Sequence, residues 1–278
     1  MSFKEIKNQA NINGCETARV KEEEWKLVWS DEFEGLEINM SNWSFDRPDN
    51  GRYNGEIQSY TNKNAYIKDG KLIIEARKED FTEPDGKTYH YTSSKLITQG
   101  KQKWTYGKFE IRAKMPEGKG IWPAIWMMPE DEFYYGRWPV CGEIDIMELL
   151  GDTPNKAYGT MHFGLPHKQS QGIYTLPEGE SFAEDFHVYS IEWEPGEIRW
   201  YIDGNLYHKE SEWYSKAADK TNAYHYPAPF NQDFFLILNI SVGGGWPGNP
   251  DETTVFPQQM VVDYVRVYQK EKYATKKE

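Results

Sequence analysis

Cysteine is scarce in this sequence, which has two, Cys15 and Cys141, among 278 residues. One pair cannot build the disulfide framework of a small secreted domain, and its spacing matches no cysteine-based metal site. Long apolar runs are also missing. No stretch approaches the roughly 20 apolar residues of a membrane span, and residues 1–10 lack the apolar core of a signal peptide. The chain as given is therefore expected to be soluble, without a membrane partner.

Positive charge is also in deficit. Lys and Arg number 32 against 44 Asp and Glu, which gives a formal net charge of −12 and a pI near 5.1. Nucleic-acid binding requires clustered Lys and Arg, so this balance disfavours a nucleic-acid partner and favours an uncharged or basic one. With 38% hydrophobic and 27% charged residues, the composition is that of a globular protein, and we expect a monomer.

Hydrophobic periodicity along the chain is that of β-strands. Residues 108–115 alternate apolar and charged side chains, and residues 187–208 form three such runs separated by Pro195-Gly196 and Asp203-Gly204. Residues 233–245 read as a buried strand, and residues 260–270 alternate again. Many short strands punctuated by turns predict an all-β sandwich or jelly roll, built as one domain.

The rest of the chain shows little organisation beyond this domain. Only residues 211–220 have a helical pattern, and there is no internal repeat or Pro/Ser-rich linker. Residues 1–22 are polar without periodicity and are interpreted as an N-terminal arm, and residues 271–278 as a basic C-terminal tail. The predicted domain is therefore 23–270.

Three carboxylates stand in the otherwise apolar segment CGEIDIMELLG, residues 141–151, which contains no Lys or Arg. Alternation along a strand places Glu143 and Asp145 on one face, but it would send Glu148 to the other. A one-residue bulge around Ile146 and Met147 would return Glu148 to the first face, and such bulges are common beside active sites. The pattern therefore predicts a bulged strand with all three acids on one face.

This carboxylate group has three possible explanations. A solvated strand face usually mixes charges of both signs, because like charges side by side repel each other. A calcium site is a second explanation, but calcium ligands normally lie on a loop that wraps the ion. The third is acid–base chemistry, in which neighbouring carboxyls hold different pKa values, and glycoside hydrolysis uses such a pair. We favour the third, with Asp145 between the two glutamates as a hydrogen-bonding partner.

Aromatic residues make up 15% of the chain, including 11 Trp. Some must fill the β core, but sugar rings also pack their C–H faces on aromatic rings, so a polysaccharide cleft is expected to carry Trp beside its carboxylates. Trp122 and Trp126 are four residues apart and share a face of an extended segment, which favours binding. Trp138, Trp246 and His162 are further candidates, for which core and binding functions remain equally open.

The segment Glu143 to Glu148 resembles the bulged active-site motif of glycoside hydrolase family 16, in the laminarinase form typical of endo-β-1,3-glucanases. Further segments are similar to that family in the same order: WSDEF, WTYGKFEIRAKMPEGKGIWPAIWMMP, YGTMHFG, IEWEPGEIRWYIDG, SVGGGWPG and VDYVRVYQ. The resemblance covers about Trp25 to Tyr268. It implies a jelly roll of two curved antiparallel sheets with a concave substrate cleft and a retaining mechanism.

The resemblance also implies particular roles and a substrate. Glu143 would be the nucleophile, Glu148 the acid/base and Asp145 the helper. Residues implied to line the cleft are Asn54, Glu56, Trp122, Trp126, Trp138 and His162. The implied substrate is a laminarin-type β-glucan, with no cofactor for catalysis, and such a polymer implies an extracellular protein. A structural calcium ion would lie on the convex face at Glu32, the Gly70 carbonyl and Asp263.

Departures from the family pattern occur at Gly55, Lys95 and Gly245, where relatives often have Asn, Arg and Asn. Lys lacks the planar fork of Arg, so the sugar subsite that Lys95 serves is expected to be looser. Other interpretations are a catalytically inactive β-glucan-binding protein, or an enzyme for agar, carrageenan or mixed-linkage glucan. The binding proteins lose the catalytic glutamates, and mixed-linkage enzymes usually lack the residue that is Met147 here, so both comparisons favour a β-1,3-glucanase.

Overall fold

The chain folds into strands in the part that the structure describes. The computed structural model describes residues 23–46, 54–216 and 224–273, and it contains no helix in these ranges. The strands are β1 Lys26–Asp31, β2 Ser44–Phe45, β3 Ser59–Tyr60, β4 Ala65–Lys68, β5 Lys71–Ala76, β6 Phe81–Thr82, β7 Thr88–Tyr89, β8 Thr92–Ser93, β9 Lys95–Ile97, β10 Gly107–Lys114, β11 Ile121–Pro129, β12 Glu143–Leu149, β13 Lys156–Phe163, β14 Lys168–Thr175, β15 His187–Glu194, β16 Glu197–Ile202, β17 Asn205–Glu210, β18 Phe234–Val242 and β19 Gln258–Gln269.

Two large antiparallel sheets make up the sandwich. The seven-stranded sheet has the order β14-β13-β12-β11-β18-β9-β2. The eight-stranded sheet has the order β17-β16-β15-β10-β19-β5-β4, with β1 also paired to β19. Two small two-stranded ladders, β3-β8 and β6-β7, complete the pairing in the described residues. The predicted all-β sandwich is confirmed.

Alternating side chains explain why these sheets stack. In β10 every second residue is buried, from Gly107 through Phe109 and Ile111 to Ala113, while the charged residues between them are partly exposed. Strand β18 is buried along its whole length, as its continuous apolar sequence predicts. The inward faces of both sheets form one hydrophobic cluster. Its largest fully buried side chains include Trp43, Trp193 and Trp200.

The predicted helix at 211–220 is wrong for residues 211–216, which form neither helix nor strand, while 217–220 lie outside the described residues. The physical reason is tertiary contact. Trp213 is largely buried, its indole N–H donates to the Pro227 carbonyl at 2.9 Å, and its ring centroid lies 5.3 Å from that of Phe230. These contacts override a weak local helical preference.

The two predicted terminal segments have different outcomes. The arm, residues 1–22, lies outside the described residues, as do 274–278 of the tail. Tyr273 belongs to the predicted tail but packs on the domain, where its hydroxyl donates to Glu194 at 3.2 Å and its ring lies 5.2 Å from Tyr106. No helix long and apolar enough to cross a membrane occurs in the described ranges.

Candidate active site

Strand β12 carries the predicted bulge. Its pairing with β13 runs regularly from Glu143 opposite His162 to Asp145 opposite Thr160, then shifts before Glu148 pairs with Tyr158. Ile146 and Met147 are adjacent in sequence, yet both are buried in the core. Two successive inward residues return Glu148 to the outer face of the sheet. We call this outer face, which carries Glu143, Asp145 and Glu148, the carboxylate face.

Each glutamate receives a hydrogen bond from a tryptophan. The indole N–H of Trp138 donates to Glu143 Oε2 at 2.7 Å, and that of Trp122 donates to Glu148 Oε1 at 3.1 Å. An indole nitrogen donates a hydrogen bond but cannot accept one. Each tryptophan therefore holds one oxygen of a glutamate without accepting the carboxyl proton. Two of the four predicted tryptophans therefore position the glutamates directly, a role that sequence spacing does not reveal.

Asp145 lies between the two glutamates and is almost fully buried, with 2% of its surface exposed. Its Oδ2 atom has no hydrogen-bond partner. The nearest basic group is His162, whose Nε2 lies 3.4 Å from Asp145 Oδ2 and 4.0 Å from Glu143 Oε1. Within the described ranges, no lysine or arginine makes an ion pair with any of the three carboxyls. The site therefore concentrates acid groups in a poorly solvated environment.

Burial raises the pKa values of all three carboxyls, and the charges of neighbouring carboxyls add to this effect for Glu143 and Glu148. Burial, followed by the charge of Asp145, raises the pKa of Glu143 to about 8. Burial raises the pKa of Asp145 to about 7. The pKa of Glu148 is raised well above its usual range by burial and then by the charges of Asp145 and Glu143. Protons are therefore retained in the group near neutral pH, as a general acid requires.

The backbone at the bulge is held from the core side. Trp200 of β16 is fully buried, and its indole N–H donates to the Asp145 main-chain carbonyl at 2.9 Å. The bulge interrupts the ladder here, and this indole satisfies a carbonyl next to the interruption. Gly159 of β13 leaves the necessary room, because a β-carbon there would lie 2.5 Å from Trp200 Cδ1. Sequence periodicity gives no sign of this contact.

The other predicted sugar-binding residues lie around the carboxylate face. Trp122 packs edge-on against Trp246, with ring centroids 5.5 Å apart. Trp246 also packs against Tyr158, with ring centroids 5.0 Å apart. The main-chain carbonyl of Asn54 accepts from Gly245 N at 2.8 Å, and the Asn54 side chain donates to Glu56 Oε1 at 3.3 Å. The segment with Asn54 and Glu56 therefore meets the glycine-rich loop that carries Trp246.

Trp126 is fixed by polar neighbours. Its indole N–H donates to Asn239 Oδ1 at 2.7 Å, and the ammonium of Lys95 lies 5.1 Å from its ring centroid. Lys95 also pairs with Asp46 at 2.9 Å. Asn239 was missed from sequence, although it interrupts the otherwise apolar β18 and could have been found by that signal. Lys95 therefore contacts an aromatic ring next to the carboxylate face.

The predicted calcium site is not supported by the side-chain arrangement. Both oxygens of Glu32 accept from Arg266, at 3.0 and 2.8 Å. Asp263 pairs with Lys71 at 3.2 Å and with Arg112 at 2.6 Å. Carboxylates committed to cationic side chains do not form the oxygen cage that calcium requires, so the described residues do not fit the ion.

In the described ranges, one group of side chains has ligand atoms close enough to share a metal ion. It consists of Glu143, Asp145 and His162, whose ligand atoms lie within 4.8 Å of one another. Two of the three belong to the carboxylate group with raised pKa values. Calcium takes about six to eight oxygen ligands, and two carboxyls and an imidazole do not supply them. We therefore assign the group to acid–base chemistry.

The raised pKa of Glu143 predicts how the free energy of unfolding depends on pH. A carboxyl whose folded-state pKa lies above its ordinary 4.5 stabilises the fold fully below that value, and this contribution is lost as pH rises through about 8. Glu143→Gln should therefore match the parent protein near pH 4.5 and exceed its stability at pH 8 by about 1–3 kcal/mol. Thermal unfolding at both pH values measures this. Equal pH dependence in Glu143→Gln, the parent and the exposed control Glu37→Gln would contradict the raised pKa.

Three carboxyls on one bulged strand of a two-sheet sandwich, with a tryptophan donor on each glutamate, are the arrangement expected of a glycoside hydrolase. The model of glycosyl hydrolases family 16 matches residues 53–266. The chain belongs to this family.

Individual relatives agree with this assignment. The chain is 45% identical over 255 residues to a "Beta-glucanase" of Rhodothermus marinus, covering 88% of this chain and 85% of that protein. It is 42% identical over 264 residues to "Glucan endo-1,3-beta-glucosidase A1" of Niallia circulans, covering 88% of this chain but 38% of that longer protein. The laminarinase catalytic domain of Thermotoga maritima MSB8 superposes with a TM-score of 0.77 at 46% identity, covering 89% of this chain and 99% of that one.

Proposed function

We propose that this protein is an endo-acting β-1,3-glucanase that hydrolyses laminarin-type glucans with retention of configuration. The observation that carries the proposal is the bulged strand β12, which brings Glu143, Asp145 and Glu148 to one face with a tryptophan N–H on each glutamate. The similarity to a laminarinase domain over most of the chain supports the choice of β-1,3-glucan. We infer retention from family membership. In a retaining glycosidase one carboxylate attacks the sugar as a nucleophile and the other carboxyl acts as the acid/base.

Glu143 is proposed as the nucleophile. The Trp138 N–H donates to its carboxyl and favours the charged form, and a nucleophile must be ionised to attack the anomeric carbon. Attack forms a covalent glycosyl-enzyme and breaks the glycosidic bond. Burial opposes ionisation and outweighs this hydrogen bond, so the pKa of Glu143 is raised in the free protein.

Glu148 is proposed as the acid/base. Its pKa is raised by burial and by the negative charges of Asp145 and Glu143, so ionisation of Glu143 makes Glu148 hold its proton more firmly. That proton passes to the leaving oxygen. The resulting Glu148 carboxylate then takes a proton from water, which hydrolyses the glycosyl-enzyme and restores the resting state. Asp145 is proposed to hydrogen-bond Glu143 and keep it oriented.

Substrate preference is tested by comparing glucans. Laminarin should be cleaved internally and faster than lichenan, with little release of reducing ends from agarose. A reducing-sugar assay gives the rates, and chromatography of early products distinguishes internal cleavage, which yields a series of oligosaccharides, from release of glucose at chain ends. Clear preference for agarose, or glucose as the only early product, would contradict the proposal. Binding to laminarin without any cleavage would identify the protein as a glucan-binding member of the family.

We also propose that the protein acts outside the cell as a monomer. A glucan polymer is too large to reach a cytoplasmic enzyme intact, and this is the basis for the location. The formal net charge of −12 disfavours nucleic acid as a second partner.

A further inference from the structure

His167 lies in the turn between β13 and β14 and belongs to none of the motifs that predict the site. Its Nε2 lies 3.0 Å from Nδ1 of His162. The two imidazole rings are close to coplanar, with an interplanar angle of 19° and centroids 5.2 Å apart. Nearly coplanar rings joined nitrogen to nitrogen at this distance have the geometry of a hydrogen bond.

The opposite nitrogen of His162 faces the carboxylates. Its Nε2 lies 3.4 Å from Asp145 Oδ2, the atom that has no hydrogen-bond partner on a side chain that is 3% exposed. A buried carboxyl oxygen without a donor is unfavourable, so a proton on His162 Nε2 would stabilise it. A neutral imidazole carries one N–H, and a donor that faces Nδ1 holds this proton on Nε2.

The turn that carries His167 is firmly held. Tyr214 donates its hydroxyl to the Pro166 carbonyl at 3.0 Å and packs on Phe163, with ring centroids 5.4 Å apart. The ring of His167 lies 4.9 Å from that of Trp138, the tryptophan that donates to Glu143. Burial lowers the pKa of His167, so its neutral form predominates near pH 7. Neutral His167 therefore carries a single N–H, which it can donate to His162.

We propose that His167 is a positioning residue that donates its Nε2–H to His162 Nδ1 and so fixes His162 as the tautomer with its proton on Nε2. His162 then directs this N–H toward Asp145 and supplies the donor that Oδ2 lacks. The inference rests on the proposed function, since it assigns Asp145 a place beside the nucleophile. It adds a residue outside the family motif, which acts through two intervening side chains.

The test compares two substitutions of His167. His167→Phe keeps a ring against Trp138 but removes both nitrogens, whereas His167→Gln retains a side-chain N–H donor. Long-range ¹H–¹⁵N NMR of histidine-labelled protein near pH 7.5 reports the tautomer of His162 without requiring turnover. We expect the Nε2–H tautomer in the parent and in His167→Gln, and a mixture or the Nδ1–H tautomer in His167→Phe. The exposed His90→Phe serves as the matched control and should leave His162 unchanged.

Kinetics on laminarin provide the second measurement. Loss of one hydrogen bond of about 1 kcal/mol predicts that kcat falls about fivefold in His167→Phe, while KM changes less than twofold. His167→Gln should recover most of kcat. Circular dichroism and thermal unfolding establish that each variant is folded before it is compared.

Two outcomes would overturn the proposal. One is an Nδ1–H tautomer of His162 in the parent protein. The other is a His162 tautomer that stays the same in His167→Phe, even if kcat falls, because that result assigns His167 to packing against Trp138. Both tautomer measurements remain valid if laminarin is not hydrolysed at all. Failure of the proposed function is therefore recognised by the substrate assay and failure of the tautomer proposal by NMR.

Discussion

Replacing Glu143 with alanine is expected to reduce laminarin hydrolysis by about a thousandfold or more, because no other carboxylate can form the glycosyl-enzyme. Azide should restore turnover of an activated β-glucoside. The shortened side chain leaves a gap on the face opposite the leaving group, so azide attacks there and yields the α-glycosyl azide. An inverted product identifies the residue that was removed as the nucleophile.

Glu148→Ala should lose laminarin hydrolysis to a similar extent but give the opposite anomer with azide. The nucleophile survives in this variant, and an activated leaving group departs without a proton, so the glycosyl-enzyme still forms. Azide then attacks the intermediate and yields the β-glycosyl azide. Proton NMR of the isolated azides assigns the anomer from the coupling constant of the anomeric proton.

The parent enzyme on the same activated substrate is the control for both variants, and its first product should have the β configuration. Exchange of the two azide anomers between the variants would exchange the roles of Glu143 and Glu148. An α-configured first product from the parent would show that the enzyme inverts, and the nucleophile assignment would then be wrong for either residue.

Gly159→Ala is expected to destabilise the fold strongly. An added β-carbon would lie 2.4 Å from the hydroxyl of Tyr207 and 2.5 Å from Cδ1 of Trp200. Trp200 is fully buried, so it can move only by displacing the core. We expect a loss of about 3 kcal/mol or more in the free energy of unfolding, and a fall of about 10 °C in melting temperature. Thermal and urea unfolding measure the two quantities.

The same substitution should weaken catalysis below its melting transition. Displacement of Trp200 breaks its hydrogen bond to the Asp145 carbonyl and loosens the strand that carries the carboxylates. Gly35→Ala is the matched control, because Gly35 is exposed and an added β-carbon there would make an ordinary 3.4 Å contact. A melting temperature within 2 °C of the parent in Gly159→Ala would contradict the close packing at this position.

The sequence predicts much of the site because β12 follows a local rule. A side chain points to one face or the other by its position along the strand, so the order of residues alone reveals the shared parity of Glu143 and Asp145 and the anomaly at Glu148. The same rule places Trp122 and Trp126 on one face. The bulge is predicted from one assumption, that all three carboxylates lie on the same face of the strand.

Contacts between distant strands could not be predicted in this way. Trp200 donates to a carbonyl 55 positions away, and no periodicity connects the two. The contact of His167 with His162 depends on the length and path of one turn. The ion pairs of Glu32 and Asp263 depend on which cations the eight-stranded sheet places beside them, so the predicted calcium ligands were consistent with the sequence but do not fit in space.

The bulge also makes the site tolerant of a one-residue change in length. If Met147 were deleted, strict alternation would place the following glutamate on the same face as Glu143 and Asp145, because these residues would then be two apart. A single in-frame codon deletion would thus straighten the strand and change the spacing of the three carboxylates while retaining all of them. The change would remove one buried methionine side chain from the core. This strand can therefore evolve new spacing in one genetic step, without passing through an ancestor that lacks a catalytic carboxylate.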